Sequence, residues 1–268
     1  MIMNHRLVHE NETALFIICA VISSLIYVSL IFSVIGIFYI ILGVVISVIF
    51  HGLAVAGIRS SGVKLSAQQF PVVYEKVQEL CVHMEIAKVP DVFIVQSGGI
   101  LNAFATRFMG RNFVVLYSDI FELVEQGSDE ELSFVVAHEL AHIQRNHIRK
   151  HVWIWPALWI PFLGNAYSRC CEYTCDRIAT AYTGNAAAAV RALTVLAVGK
   201  QLFARVNIGE YVEQSRNERG FFVAWYEWLS THPPLPKRIN EIWRFHAYPQ
   251  LLGYETSRFE TEDRTAAL

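Results

Sequence analysis

A chain of 268 residues has room for one or two domains and a sizeable core. Its net charge of −2 gives nucleic acid no electrostatic footing, and its five cysteines, odd in number and without framework spacing, exclude a small disulfide-stapled fold. An apolar fraction of 54% and a mean hydropathy of +0.35 are too high for an ordinary soluble domain, and the excess sits at one end.

From Ala14 to Ala56 there is no Asp, Glu, Lys or Arg, and His51 is the one strongly polar side chain. A span takes about 20 apolar residues, so these 43 positions suffice for two. A secretory signal would hold an apolar stretch of only about 7–15 residues. With its break at Ser33–Gly36, the run predicts a transmembrane helical hairpin, Ala14–Phe32 and Gly36–Ala56. Residues 1–57 are thus expected to be a multi-pass anchor, with the lipid bilayer as a partner. Arg6, Arg59 and Lys64 flank the hairpin and place the rest of the chain on the cytoplasmic side of the cell membrane. Unpaired cysteines suit that reducing compartment.

Residues 58–248 read as one α+β domain. Pro71–Met84 is amphipathic at helical spacing, with Val72, Val73, Val77, Leu80 and Cys81 apolar. Val92–Val95, Asn102–Phe108 and Asn112–Tyr117 read as strands of a small antiparallel sheet. Thr106 and Arg107 mark the second as an edge strand. A helix then starts on a capping box, Ser128 with Glu131, and is expected to run from Asp129 to near Trp153. Further helices are expected over Asn165–Tyr182, Ala186–Phe203 and, after a polar stretch, Pro236–Phe245. Residues 249–268 read as a polar tail.

The capped helix carries His138-Glu139-Leu140-Ala141-His142, the pattern H-E-x-x-H. Positions four apart differ by about 40° around a helix and sit one turn apart, so both imidazoles can share one zinc ion. Glu139 is rotated aside and can take a proton from a zinc-activated water and pass it to a leaving amine. A chance match is the competing explanation. Against it, Leu132 and Phe134–Ala137 bury the helix, and a buried pair of core histidines would gain nothing from an unpaired Glu between them.

Catalytic zinc takes three protein ligands and an open position. Downstream, Glu172 and Asp176 are again four apart on a predicted helix. Glu172 is expected as third ligand, and Asp176 as the carboxylate that accepts the free N–H of His138. Two solvated carboxylates would show the same spacing, and Cys175 is an alternative ligand. His147 and His151 fall about 180° and 220° round from His138 on a continuous helix and are expected to face away.

These motifs, followed by His232-Pro233-Pro234 and Arg238, resemble the HtpX/CAAX-protease family of gluzincin peptidases. The run from Ser97 to Ala105, with Gly98-Gly99 and Asn102-Ala103-Phe104, is similar to that family's strand-entry motif. The resemblance implies a zincin-like, minimal gluzincin domain behind an N-terminal membrane region. It implies one zinc per chain and endoproteolysis of membrane or misfolded proteins. His232 would donate to the oxyanion and Arg238 would brace the acidic partners of the metal. Asn102, Ala103 and Phe104 would hold substrate backbone as an added strand. Members often carry further spans between the two metal helices, whereas here 29 residues separate His142 from Glu172.

Two rival functions are weighed. A CAAX prenyl protease needs a large multi-span chamber for which this chain is too short. A catalytically inactive, zinc-stabilised membrane scaffold has no need of Glu139. Finally, Val152–Leu163 is apolar, holds three of the six tryptophans and is interrupted by Pro156 and Pro161. It reads either as an interfacial loop, with Arg145, Arg149 and Lys150 meeting headgroups, or as a core lid over the metal helices.

Overall fold

The computed structural model describes residues 7–96, 103–118, 129–199 and 201–248. It opens on helices α1, Glu10–Ile31, and α2, Val34–Ser61, both long and apolar enough to cross a membrane. The break falls at Phe32-Ser33, where Ser33 Oγ accepts from Gly36 N at 3.2 Å and caps α2. A Cβ on Gly36 would lie 2.3 Å from Leu30 O, so only glycine fits the close turn. α1 begins ahead of the apolar run, with Glu10 and Glu12 in its first turn, where the helix dipole favours carboxylates.

A four-stranded sheet follows, made of β1, Val63–Lys64, β2, Asp91–Val95, β3, Ala103–Phe108, and β4, Arg111–Tyr117. Its order is β1-β2-β4-β3, and β2 pairs with β4 in parallel while the other pairs are antiparallel. The expected all-antiparallel sheet is therefore corrected to a mixed one. β3 starts opposite Leu116, at the end where β2 stops, and skips one place in the sheet. β4 then fills the gap as the return arm of a hairpin. Its two-residue turn, Met109-Gly110, has φ of 45° and 82°, the positive pair that matches strand twist. β3 is thus an edge strand, as Thr106 and Arg107 suggest.

α3, Pro71–His83, packs Val73, Val77 and Leu80 into the core. Next comes α4, Asp129–Gln144, in which every residue from Glu131 to Ala141 is buried. It lies between β3, α3, and helices α7, Leu163–Thr183, and α8, Ala186–Val198. Fully burying side chains such as Phe134, Leu140 and Ile178 contributes roughly 1.5–3 kcal/mol each. Ser128 lies outside the described residues, and the Glu131 carboxylate pairs with Arg191 of α8. Gly184, φ +72°, ends α7 in a left-handed cap.

Three expectations are corrected. α4 stops at Gln144 because Asn146 takes φ +56°, and a new helix, α5, His147–Trp153, starts in another direction. The presumed polar stretch after α8 holds two helices, α9, Ile208–Asn217, and α10, Phe221–Leu229. α8 ends at Val198, since Gly199 takes φ +84°. The last helix, α11, spans Leu235–Ala247, and the tail after it lies outside the described residues.

The packing runs across residue 57. α1 lies along α7 and the short helix α6, Trp155–Leu158, through a cluster of Cys19, Ile154, Ala157, Tyr167 and Cys171. The C-terminal part of α2 meets the sheet through Val55, Phe93 and Phe113. Within 152–163, Ile154 and Ala157 are core, while Trp153, Trp155 and Trp159 are 63%, 50% and 74% exposed. Neither the lid nor the loop describes the segment alone: one face packs on α1 and α7, the other points outward.

Candidate metal centre

α4 and α7 cross with their buried faces together, which brings His138 and His142 against Glu172. His138 Nε2 lies 3.4 Å from Glu172 Oε2, and His142 Nε2 lies 3.3 Å from Glu172 Oε1. A tetrahedral ion with bonds of ~2.0–2.1 Å holds its donors ~3.3 Å apart, close to these two spacings, and one donor atom from each of the three residues lies within 4.8 Å of the others. His138 and Glu172 are buried, and His142 is only partly exposed towards the cleft.

The outward nitrogens are held as well. His138 Nδ1 is 3.0 Å from Asp176 Oδ1, and Asp176, fully buried, takes a bidentate pair from Arg238 at 2.6 and 2.7 Å. Arg238 Nη1 also reaches Glu172 Oε2 at 3.2 Å. One guanidinium from α11 thus steadies both carboxylates of α7. Burial opposes a charge on His138, but its hydrogen bonds to Asp176 and Glu172 push its pKa up to about 10. Burial likewise opposes the Glu172 charge, yet the two histidines and Arg238 hold its pKa well below the ordinary value.

A raised pKa means that the proton on His138 is bound throughout the neutral range and is released only as pH rises through about 10. A metal ion must displace it. Zinc binding at pH 7 is therefore expected to release close to one proton per ion. Calorimetry in buffers of different ionisation enthalpy reads this directly, and zero release would mean that His138 is already neutral in the metal-free site.

Glu139 is 7% exposed and lines a cleft of about 440 Å³ together with His138, His142 and Glu172. Ala103, Phe104 and Ala105 of the edge strand form one wall. Asn102 lies outside the described residues. His232 stands on the rim with its side chain 66% exposed, its Nε2 3.6 Å from Glu172 Oε1. Its loop is tied to α7: Asn165 Nδ2 donates to Leu229 O and Arg169 Nη1 to Ser230 O, both at 2.7 Å.

Two histidines lie where a continuous helix would not put them. Because α4 breaks at Asn146, His147 is 1% exposed and turns back, its Nδ1 3.1 Å from His142 Nδ1. His151 lines the cleft against Tyr167. Arg145 and Lys150, expected at headgroups, lie 3.1 and 3.7 Å from Glu12 of α1. Helical period carries no warning of this, because one left-handed residue resets the phase. Asn146, a residue type that tolerates that conformation, was the available signal.

Two histidines one turn apart, a glutamate from a second helix and a free carboxylate beside them define a metallopeptidase centre of the H-E-x-x-H class. The chain belongs to peptidase family M48, whose profile it matches over residues 67–160 and 154–245. It is similar to a protease HtpX homolog of Halobacterium salinarum, 34% identical over 92 residues, which are 34% of this chain and 30% of that protein. It is also similar to the plastoglobule-localized metallopeptidase 48, chloroplastic, of Arabidopsis thaliana, 27% identical over 194 residues, 61% of this chain and 54% of that one. The chain thus spans about half or less of the length of these relatives. No solved structure matches it.

Proposed function

We propose that the protein is a membrane-anchored zinc endopeptidase that hydrolyses peptide bonds in membrane or misfolded proteins. The observation that carries this reading is the pair of 3.3–3.4 Å spacings between Glu172 and the two histidines, with Glu139 beside them in one cleft. Bound zinc would polarise the scissile carbonyl and acidify the attacking water. Glu139 takes the proton of that water and returns it to the leaving nitrogen. His232, exposed at the rim with its Nδ1 3.0 Å from Thr231 Oγ1, donates to the oxyanion. β3, the last strand of the described sheet, lines the cleft at Ala103 and Phe104 and takes substrate backbone as an added strand, a role in which Asn102, outside the described residues, is expected to share. Arg238 keeps Glu172 and Asp176 ionised and in place. A test is casein cleavage by the full chain, abolished by a chelator and restored by zinc; activity indifferent to chelation would overturn the reading. An inactive scaffold has no observation in its favour.

In this reading α1 and α2 span the cell membrane and the domain faces the cytoplasm. Their outward surfaces are apolar, as with Leu25, Val34 and Phe38, exposed by 65%, 86% and 62%. Trp155 and Trp159 line an apolar groove with Tyr27, Tyr39 and Val44 of the two helices. Phe162 carries the aromatic surface on to Trp228 of α10, at 5.8 Å. Such rings are at home at a membrane–water interface. In vesicles with brominated acyl chains, the tryptophan fluorescence of the full chain should be quenched, and Trp159→Phe should lower the quenched fraction. Quenching unchanged by Trp159→Phe would place that ring outside the acyl chains and overturn its interfacial reading.

A further inference from the structure

We propose that Glu12, on the first apolar helix, is a positioning residue for the zinc ligand His142, acting through His147. The observation is a buried chain of contacts leading away from the centre. His142 Nδ1 lies 3.1 Å from His147 Nδ1, and His147 Nε2 lies 3.3 Å from Glu12 Oε1. Glu12 and His147 are each 1% exposed.

Proton placement follows from chemistry. His142 turns Nε2 towards Glu172, so that nitrogen keeps its lone pair for the metal and Nδ1 carries the hydrogen. His142 Nδ1 then donates to His147 Nδ1. His147, accepting there, carries its own hydrogen on Nε2 and donates to Glu12. Each contact is a hydrogen bond only in this arrangement of two neutral rings. A carboxylate at the end of the chain fixes both tautomers, as Asp176 does directly for His138. The two ligands on α4 thus have separate anchors, one from α7 and one from α1.

Glu12 is itself held on all sides. Thr174 of α7, two residues beyond Glu172, donates to its Oε2 and accepts from the His9 N–H at 2.9 Å. Arg145 Nη2 donates to its Oε1 at 3.1 Å. Glu12, His147 and Cys171 bring donor atoms within 4.8 Å of one another, a spacing that a second metal could use. Arg145 and Lys150 already balance the carboxylate, and a cation there would meet two others. The geometry therefore favours a hydrogen-bonded relay, and it makes the membrane helix a working part of the metal centre.

The inference rests on His142 being a zinc ligand, and its test separates the two. Zinc Kd is measured on the full chain in detergent, by competition with a chromophoric chelator. Glu12→Gln and His147→Gln are each expected to weaken zinc by about 10–100-fold, the range for outer partners of a ligating histidine. The double variant should be little worse than either, because both cut one chain. The visible spectrum of the cobalt-loaded protein should shift in both single variants. Glu10→Gln is the control: it removes the 3.5 Å pair of α1 with Arg177 but leaves the relay, and zinc Kd should stay native. A native Kd in Glu12→Gln, or additive losses in the double variant, would overturn the inference alone. If Glu12→Gln does not fold, a native Kd in His147→Gln has the same force. A native chain that binds no zinc would overturn the metal-centre reading, and this one with it.

Discussion

Glu139→Gln is expected to leave zinc content and melting temperature near native while lowering casein turnover by on the order of 10²–10⁴-fold, the usual worth of a positioned acid–base group. The substitution keeps the shape of the side chain and removes only its capacity to take a proton. Among the described residues, no ion pair or side-chain hydrogen bond holds the Glu139 carboxylate, although it is 7% exposed. A buried acid without a partner is costly for stability. The fold therefore loses nothing when the charge goes, and a small gain in melting temperature would agree with this. Turnover comparable to the native chain would remove Glu139 from the mechanism. Loss of zinc together with activity would make it a structural residue. The same two measurements distinguish a peptidase from an inert scaffold, since a scaffold has no turnover to lose.

How far the centre could be read from sequence depends on what set each residue's direction. His138, Glu139 and His142 lie within one uninterrupted helix, so helical phase alone places them. Glu172 and Asp176 share a second helix, and their spacing put both on one face, the one that α4 covers. Arg238 came only with the family resemblance, because nothing local ties α11 to α7; the tie is a long-range ion pair with Asp176. His147 was misread because phase was carried through Asn146, where the chain turns left-handed. Glu12 stands two residues ahead of the apolar run, and no motif there singles it out. Its role depends on α1 packing beside α7, a contact between residues 162 apart in the chain, which no local pattern encodes. The mixed sheet was missed for a similar reason: strand periodicity gives each strand's faces but not the order in which strands pair.

The identity of the third ligand is open to the sharpest test. Glu172→Ala is expected to cost more zinc affinity than the roughly 10–100-fold typical of an outer partner, whereas Cys175→Ser should leave about one zinc per chain. Glu172 is the residue whose two oxygens face the Nε2 atoms of both histidines. Cys175 lies on the other side of His142, its Sγ 3.6 Å from His147 Nδ1. His142, His147 and Cys175 could gather a metal by donor spacing, but only through the outward nitrogen of His142. Burial also pushes the Cys175 thiol well above its ordinary pKa, with the Glu172 carboxylate adding to the effect, and a thiol must ionise to bind zinc. Removing Glu172 should not unfold the domain, because Arg238 keeps its bidentate pair with Asp176. Asp176→Asn should fall between the two variants: His138 keeps an acceptor, but Arg238 is left facing a neutral amide. Zinc content after gel filtration and competition Kd values rank the three. The reverse order, with Cys175→Ser stripped of metal and Glu172→Ala still loaded, would move the ion to the other face of His142 and leave Glu139 without its water.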